Sequence, residues 1–150
     1  MKLQKRILTF AAAAMLSLSM VIPCSAAESA MYTLCAPSGI TSMPDGSFLV
    51  TDTYNKVVWR VEGRTSTVYG GVATVGDLYG QPIGGYNDSA LNDSYFKEPW
   101  AVAPFLDGYA VSDAANNVVR FIAHDKNKVQ TATGQRAKGS MNGYGIEATF

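Results

Sequence analysis

Phe48-Leu49-Val50-Thr51-Asp52-Thr53-Tyr54-Asn55-Lys56-Val57-Val58-Trp59-Arg60-Val61 returns 61 residues later as Tyr109-Ala110-Val111-Ser112-Asp113-Ala114-Ala115-Asn116-Asn117-Val118-Val119-Arg120-Phe121-Ile122. Asp52 aligns with Asp113, Asn55 with Asn116, and Val57-Val58 with Val118-Val119. In each copy an apolar run ends at Asp, a few turn-forming residues follow, and a second apolar run begins. Short apolar runs bounded by Gly, Asp, Asn and Pro predict strands rather than helices. In the run after Asn55, Val57, Trp59 and Val61 share one face and Val58 lies on the other. A strand apolar on both faces needs cover on both, which stacked sheets provide.

The repeat extends outward from this stretch. Pro37-Ser38-Gly39-Ile40 and a turn at Pro44-Asp45-Gly46 precede the first copy; Pro99-Trp100-Ala101-Val102 and a turn at Asp107-Gly108 precede the second. A turn at Gly63-Arg64 closes the third and fourth strands of the first unit. Strands are expected at 38–43, 47–51, 56–62 and 65–70, and again at 100–105, 109–112, 117–123 and 128–133. The connections follow another spacing: the segment from Asn87-Asp88-Ser89 to Tyr95-Phe96 resembles that from Met141-Asn142-Gly143 to Thr149-Phe150, 54 residues on. The difference of seven places an insertion in the first connection, within 72–84. The unit is thus about 54 residues.

These residues resemble the NHL-repeat β-propellers. That pattern runs Pro-x-Gly-Ile/Val, an Asp-Gly turn, a strand ending in Asp, Asn after two residues, and then a further strand. Asp-Gly and Ala-x-Phe-x-x-Pro lie between copies. Pro37, Gly39, Asp52 and Asn55 match in the first copy, and Pro99, Asp113 and Asn116 in the second. Asp88, Phe96, Asn142-Gly143 and Ala148-Thr149-Phe150 match the inter-repeat segment. Ala101 and Ser89 stand where the family has Gly, and the second copy is one residue shorter after Gly108. YWTD and gluconolactonase-like propellers are the alternatives. The resemblance implies an all-β fold: an incomplete β-propeller with two four-stranded antiparallel blades at about 38–71 and 100–134. The first unit then spans 37–71, a connecting loop 72–98, the second unit 99–134, and a lead-in to a third 135–150. Because a propeller closes with about four to eight blades, the chain is expected to be an N-terminal part of a longer propeller, or to assemble with copies of itself.

Lys2, Lys5 and Arg6 precede an apolar stretch from Ile7 to Ile22, then Pro23 and the small residues Ser25, Ala26 and Ala27. This is the order of a secretory signal peptide, expected at 1–26, with 27–36 as a short lead. The run of about 16 residues is short for a membrane span. Pro23 before Cys24 disfavours lipidation. Cleavage after Ala26 or Ala27 removes Cys24 and leaves Cys35 as a lone, buried apolar filler. The chain is expected to be secreted or extracytoplasmic.

The composition is that of a globular protein: 47% hydrophobic and 16% charged, with 14 Gly and 8 Tyr among 150 residues. The 12 basic and 12 acidic residues balance. Without the three basic residues of the signal, nine face twelve, about −3, and no basic run remains. A cationic nucleic-acid face is excluded. His124 reads as a surface-turn residue, and neither a phosphate-binding Gly-rich loop nor a Gly-x-Ser-x-Gly elbow occurs. The polar run from Asn87 to Ser94 has no EF-hand spacing and reads as a solvated loop; its two Asn-Asp-Ser triplets are glycosylation acceptors in a eukaryotic host.

Asp52, Asn55, Asp113 and Asn116 read as turn-forming structural residues, since short polar side chains there bond the turn backbone. No catalytic residue, metal ligand or cofactor is expected. Partners would meet the face built by the connections, with Tyr54, Asn55, Tyr86, Asp88 and Trp100 as binding residues. Phe96 is expected to pack between blades. The function expected is a binding scaffold for a protein, glycan or small molecule. The alternatives are a fragment of a lyase- or lactonase-type propeller enzyme and a structural or adhesive cell-surface module.

Overall fold

The computed structural model describes residues 34–73, 76–125 and 127–150. Sheet one is a meander of β1 (Pro37–Ser42), β2 (Phe48–Asp52), β3 (Val57–Glu62) and β4 (Thr65–Gly70). Sheet two repeats it with β5 (Pro99–Phe105), β6 (Gly108–Asp113), β7 (Val118–Ala123) and β8 (Lys128–Thr133). All pairings are antiparallel. The rest of the described regular structure is three single 3-10 turns, Leu91–Asp93, Ala114–Asn116 and Gly145–Glu147. The described residues form an all-β fold, and each expected strand is present with its ends displaced by at most one residue.

The two aspartates explain why the strands begin and end where they do. Asp52 is fully buried and accepts bonds from Cys35 N (2.8 Å), Ala36 N (3.1 Å), Asn55 N (3.0 Å), Asn55 Nδ2 (2.7 Å) and the Trp59 indole N–H (3.0 Å). Asp113 does the same for Lys97 N (3.0 Å), Glu98 N (2.8 Å) and Asn116 Nδ2 (2.7 Å). One carboxylate thus joins the lead into the first strand to the end of the second and the turn into the third. A buried charge needs such a set of donors. The left-handed residues of these turns are Lys56 (φ 62°) and Asn117 (φ 55°), one position after the asparagines.

The faces divide as the strand pattern requires. Leu49 and Val58 of sheet one meet Val102, Tyr109, Val111, Ile122 and Val129 of sheet two, with Phe96 of the connection buried among them. Burying each such side chain is worth about 2 kcal/mol. Val50, Val57 and Trp59 form a second cluster on the other face of sheet one, with Leu34, Val61, Val68 and Ala73.

Three details differ from expectation. The β5–β6 turn is Leu106-Asp107, and Gly108 belongs to β6. A Cβ at Gly108 would lie 2.1 Å from the Ile122 carbonyl oxygen, so glycine is there for close strand approach rather than for a turn. The insertion is nine residues, not seven. Gly71 and Gly134 bond equivalent carbonyls, as do Gly85 and Gly139; Gly85 lies 14 positions after Gly71, but Gly139 only 5 after Gly134. Two extra residues in the β7–β8 turn had masked the difference. Cys35 is disulfide-bonded rather than a lone filler; its partner lies outside the described residues. The expected signal peptide and most of the short lead also fall outside them.

Two outcomes follow for stability. Burial raises the pKa of Asp52, but the N–H donors of Asn55, Cys35 and Ala36 outweigh it and hold the carboxyl below its ordinary 3.8. Its contribution is therefore complete above the unfolded-state value and is lost as pH falls through the folded one, from about pH 4 downward. Asp52→Asn costs about 2–3 kcal/mol at neutral pH and makes the acid limb shallower, as measured by urea unfolding across pH. Gly39→Ala places a methyl 2.8 Å from the Ala101 Cα; urea unfolding should register a loss of about 1–3 kcal/mol.

Candidate functional site

The sheets come closest at their first strands, β1 and β5. Gly39 allows backbone to meet backbone there: a Cβ would lie 2.9 Å from the Trp100 carbonyl oxygen as well as against Ala101. Hydroxyls fasten this junction. Thr51 Oγ1 donates to the Trp100 carbonyl (2.9 Å). Thr53 Oγ1 (3.0 Å) and Ser38 Oγ (3.2 Å) donate to the Pro99 carbonyl. A register shift between Pro99 and Ala101 takes Trp100 out of the ladder, and its side chain remains 54% exposed. The backbone of Trp100 is thus held rigidly while its ring faces solvent.

Tyr54 follows Thr53 directly, so the Thr53–Pro99 bond brings Tyr54 and Trp100 to the same junction. Tyr54 Oη donates to Gln81 Oε1 (2.5 Å), which ties the inserted loop to the β2–β3 turn. The loop is itself closed. Asp77 Oδ1 accepts from Tyr79 N (2.8 Å) and Gln81 N (2.9 Å), Asp77 N donates to Gln81 O (2.8 Å), and Gly80 N donates to Asp77 O (3.0 Å). Gly80 takes φ 73°, and Gly76 pairs with Pro82. At the tip of this fixed turn Leu78 is 99% and Tyr79 87% exposed. Asp and Gly three residues apart announced such a turn in the sequence, but nothing in the sequence announced that Leu78 would stay uncovered.

The other expected binding residues are held differently. Asn55 spends its amide on Asp52. The Tyr86 hydroxyl bonds Thr131 Oγ1 (2.6 Å), and its ring lies between the guanidinium groups of Arg120 (5.0 Å) and Arg136 (4.9 Å). Asp88 accepts from Arg120 Nη2 (2.6 Å) and Thr131 N (2.9 Å). The structure therefore ties Tyr54 to the inserted turn and Trp100 to the sheet junction, and places Tyr86 and Asp88 against β8.

Arg120 organises that second group. Its side chain is fully buried and also donates to the carbonyls of Tyr95 and Asn87 (both 2.8 Å) and to Asp113 Oδ2 (3.4 Å). Trp59 fills the same position over Asp52 in sheet one. The signal for Arg120 was an arginine inside an apolar strand run, where an unpaired charge would be prohibitive. His124 is exposed, with its ring against Tyr109 (4.8 Å). Among the described residues no three of His, Cys, Asp and Glu stand together as metal ligands.

No protein-family model matches the chain, and neither does any curated protein sequence. Solved structures of similar fold exist. One is a protein of unknown function from Bacteroides thetaiotaomicron, 20% identical, with a TM-score of 0.60 over 71% of this chain and 26% of its own. Another is an auxiliary nutrient binding protein from the same organism, 13% identical, with a TM-score of 0.57 over 73% of this chain and 29% of its own. The chain spans less than a third of the length of either, and at these identities the likeness is one of fold alone.

Proposed function

We propose that the chain is part of an exported repeat β-propeller of NHL-like type and works as a binding scaffold. The observation that carries this is a pair of exposed aromatic side chains on fixed backbone: Trp100, whose carbonyl is bonded by Thr51 at the junction of two sheets, and Tyr79, whose N–H is bonded by Asp77 within the closed inserted turn. Rigid, half-wet aromatic side chains lose little entropy on binding and supply large contact areas, so they serve as anchors for proteins and for sugar faces. Leu78, next to Tyr79 in the chain, adds exposed apolar area on the inserted turn. A nutrient-binding protein among those of similar fold agrees with a binding role. The propeller reading is supported by the repeat, by sheets apolar on both faces, and by matched connections.

Export is supported by the basic, apolar and small-residue order of residues 1–27. Among the described residues no helix is long and apolar enough to cross a membrane.

A screen of soluble oligosaccharides and peptides against the secreted protein, read by calorimetry, tests the scaffold. Trp100→Ala is expected to weaken any ligand found by about tenfold to a hundredfold, corresponding to the 1.4–2.8 kcal/mol typical of an exposed anchor. Tyr79→Ser should act in the same direction, and Tyr144→Ser should leave affinity unchanged. Equal affinity in all three variants would move the binding face elsewhere.

A further inference from the structure

Leu49 and Val58 turn an apolar face of sheet one towards sheet two, but the residues that continue this face are polar. Strand alternation puts Arg60 and Glu62 on it after Val58, and their partners on β4 are Thr67 and Thr65. Arg60, Glu62, Thr65 and Thr67 line a cleft of about 340 Å³. It lies towards the Gly63-Arg64 turn, at the opposite end of the sheets from Tyr54, Trp100 and the inserted turn. Arg60 Nη2 is 2.7 Å from Asp45 Oδ2 and 3.5 Å from Glu62 Oε2, and Arg60 Nε donates to Ser47 Oγ (3.2 Å). Sheet two brings Tyr109 to this end of the interface, its ring packed with Leu49 and set edge-on against His124. Tyr109 is 2% exposed, and its hydroxyl bonds no group among the described residues. Burial raises its pKa, and Tyr69 and Asp45 are near enough to add to the effect. Burial also raises Tyr69, which feels the charges of Arg60 and Asp45. The Tyr109 hydroxyl thus stands behind the Asp45–Arg60 pair as a protonated donor at neutral pH. A buried hydroxyl without a partner lowers stability and calls for a bound group to meet it.

We propose that this cleft between the sheets is a binding site for a neutral polyhydroxylated ligand, a single sugar ring, with Tyr109 at its inner wall. Sugar hydroxyls both give and take hydrogen bonds. The carboxylates of Asp45 and Glu62 only accept, the Arg60 guanidinium only donates, and the hydroxyls of Thr65 and Thr67 do both. Adjacent hydroxyls of one ring can therefore meet a carboxylate and the guanidinium side by side, while Tyr109 donates to a third. Other ligand classes fit the wall poorly. The one cation, Arg60, is already answered by two carboxylates, so an anion meets an excess of negative charge. Two carboxylates are too few for a hard divalent cation. An apolar molecule takes water from the charged groups and returns no bond. The volume is at the lower end of the range for small-molecule sites, which suits one ring rather than a chain. This site is separate from the exposed aromatic residues Trp100 and Tyr79 and does not depend on them.

The test is saturation-transfer difference NMR of the native protein with glucose, galactose, mannose, xylose and N-acetylglucosamine, each added alone and titrated. At least one of these sugars is expected to bind. Tyr109→Phe should weaken it about tenfold, the loss typical of one hydrogen bond. Glu62→Gln and Thr67→Val, both at exposed positions, should weaken it in the same direction, and Trp100→Ala should leave it unchanged. Because the Tyr109 hydroxyl has no partner in the free protein, Tyr109→Phe is expected to unfold in urea at the same midpoint or a higher one. Loss of binding is then separate from loss of fold. Absence of transfer to every sugar in the set overturns the proposal. So does affinity that survives in Tyr109→Phe, Glu62→Gln and Thr67→Val, or displacement of the sugar by inorganic phosphate, which marks an anion site. A lowered urea midpoint in Tyr109→Phe overturns it too, since the hydroxyl is then spent within the protein. A sugar lost in Trp100→Ala and kept in Tyr109→Phe belongs to the exposed aromatic residues: that result supports the scaffold reading and overturns this one.

Discussion

The buried carboxylate at the end of each second strand is the constraint on which the rest depends. Once Asp52 is out of water, its oxygens must be met by donors, and the backbone donors are the N–H groups of Cys35 and Ala36 in the lead and of Asn55 in the following turn. Meeting them places the lead into β1, the end of β2 and the start of β3 within a few ångströms. Asp113 imposes the same geometry in sheet two. The two sheets then differ in what covers the carboxylate. In sheet one the Trp59 indole supplies one N–H and apolar bulk. In sheet two Arg120 brings a charge into the interior, which the connection answers with Asp88, two carbonyls, and the rings of Tyr86 and Phe96. Removing one partner of such a buried set strands the other charge, which makes the segment from Tyr86 to Phe96 part of sheet two rather than a loop laid over it.

The inner-strand junction has a different logic. Gly39 gives up a side chain so that β1 and β5 can touch, and the hydroxyls of Ser38, Thr51 and Thr53 use the carbonyls that this approach brings within reach. The bulge at Trp100 sits directly on these bonds. Bulges re-aim side chains at sheet margins, and here the result is an aromatic ring facing water from a fixed backbone. The inserted turn reaches a similar end by local means. Asp77 and Gly80 close it without help from the core, and Tyr54 secures it to the frame through Gln81. Leu78 and Tyr79 are left outside because every bond that shapes the turn comes from its backbone or from Asp77.

The legibility of the site in the sequence was uneven. Tyr54 and Trp100 were expected at the connection face, and the Thr53–Pro99 bond links the residues that precede them. Tyr86 and Asp88 carry equally polar, equally loop-like sequence, yet their outer atoms are spent on Thr131 and Arg120. The difference lies in a residue more than thirty positions away, which no local pattern reports. The length of the insertion was obscured for a similar reason: a longer β7–β8 turn offset part of it, and only matched hydrogen bonds separated the two.

The sequence by itself determined the eight strands, the repeat, and the role of Asp52 and Asp113. Each is written in local chemistry: alternation, turn residues and a carboxylate ahead of a tight turn act over a few residues. The tertiary structure alone decided which polar groups are satisfied internally, which aromatic rings remain in water, and why Gly108 is a glycine. Those depend on what a neighbouring sheet or connection brings within hydrogen-bonding or van der Waals distance. That is a property of the packed chain, not of any stretch of it.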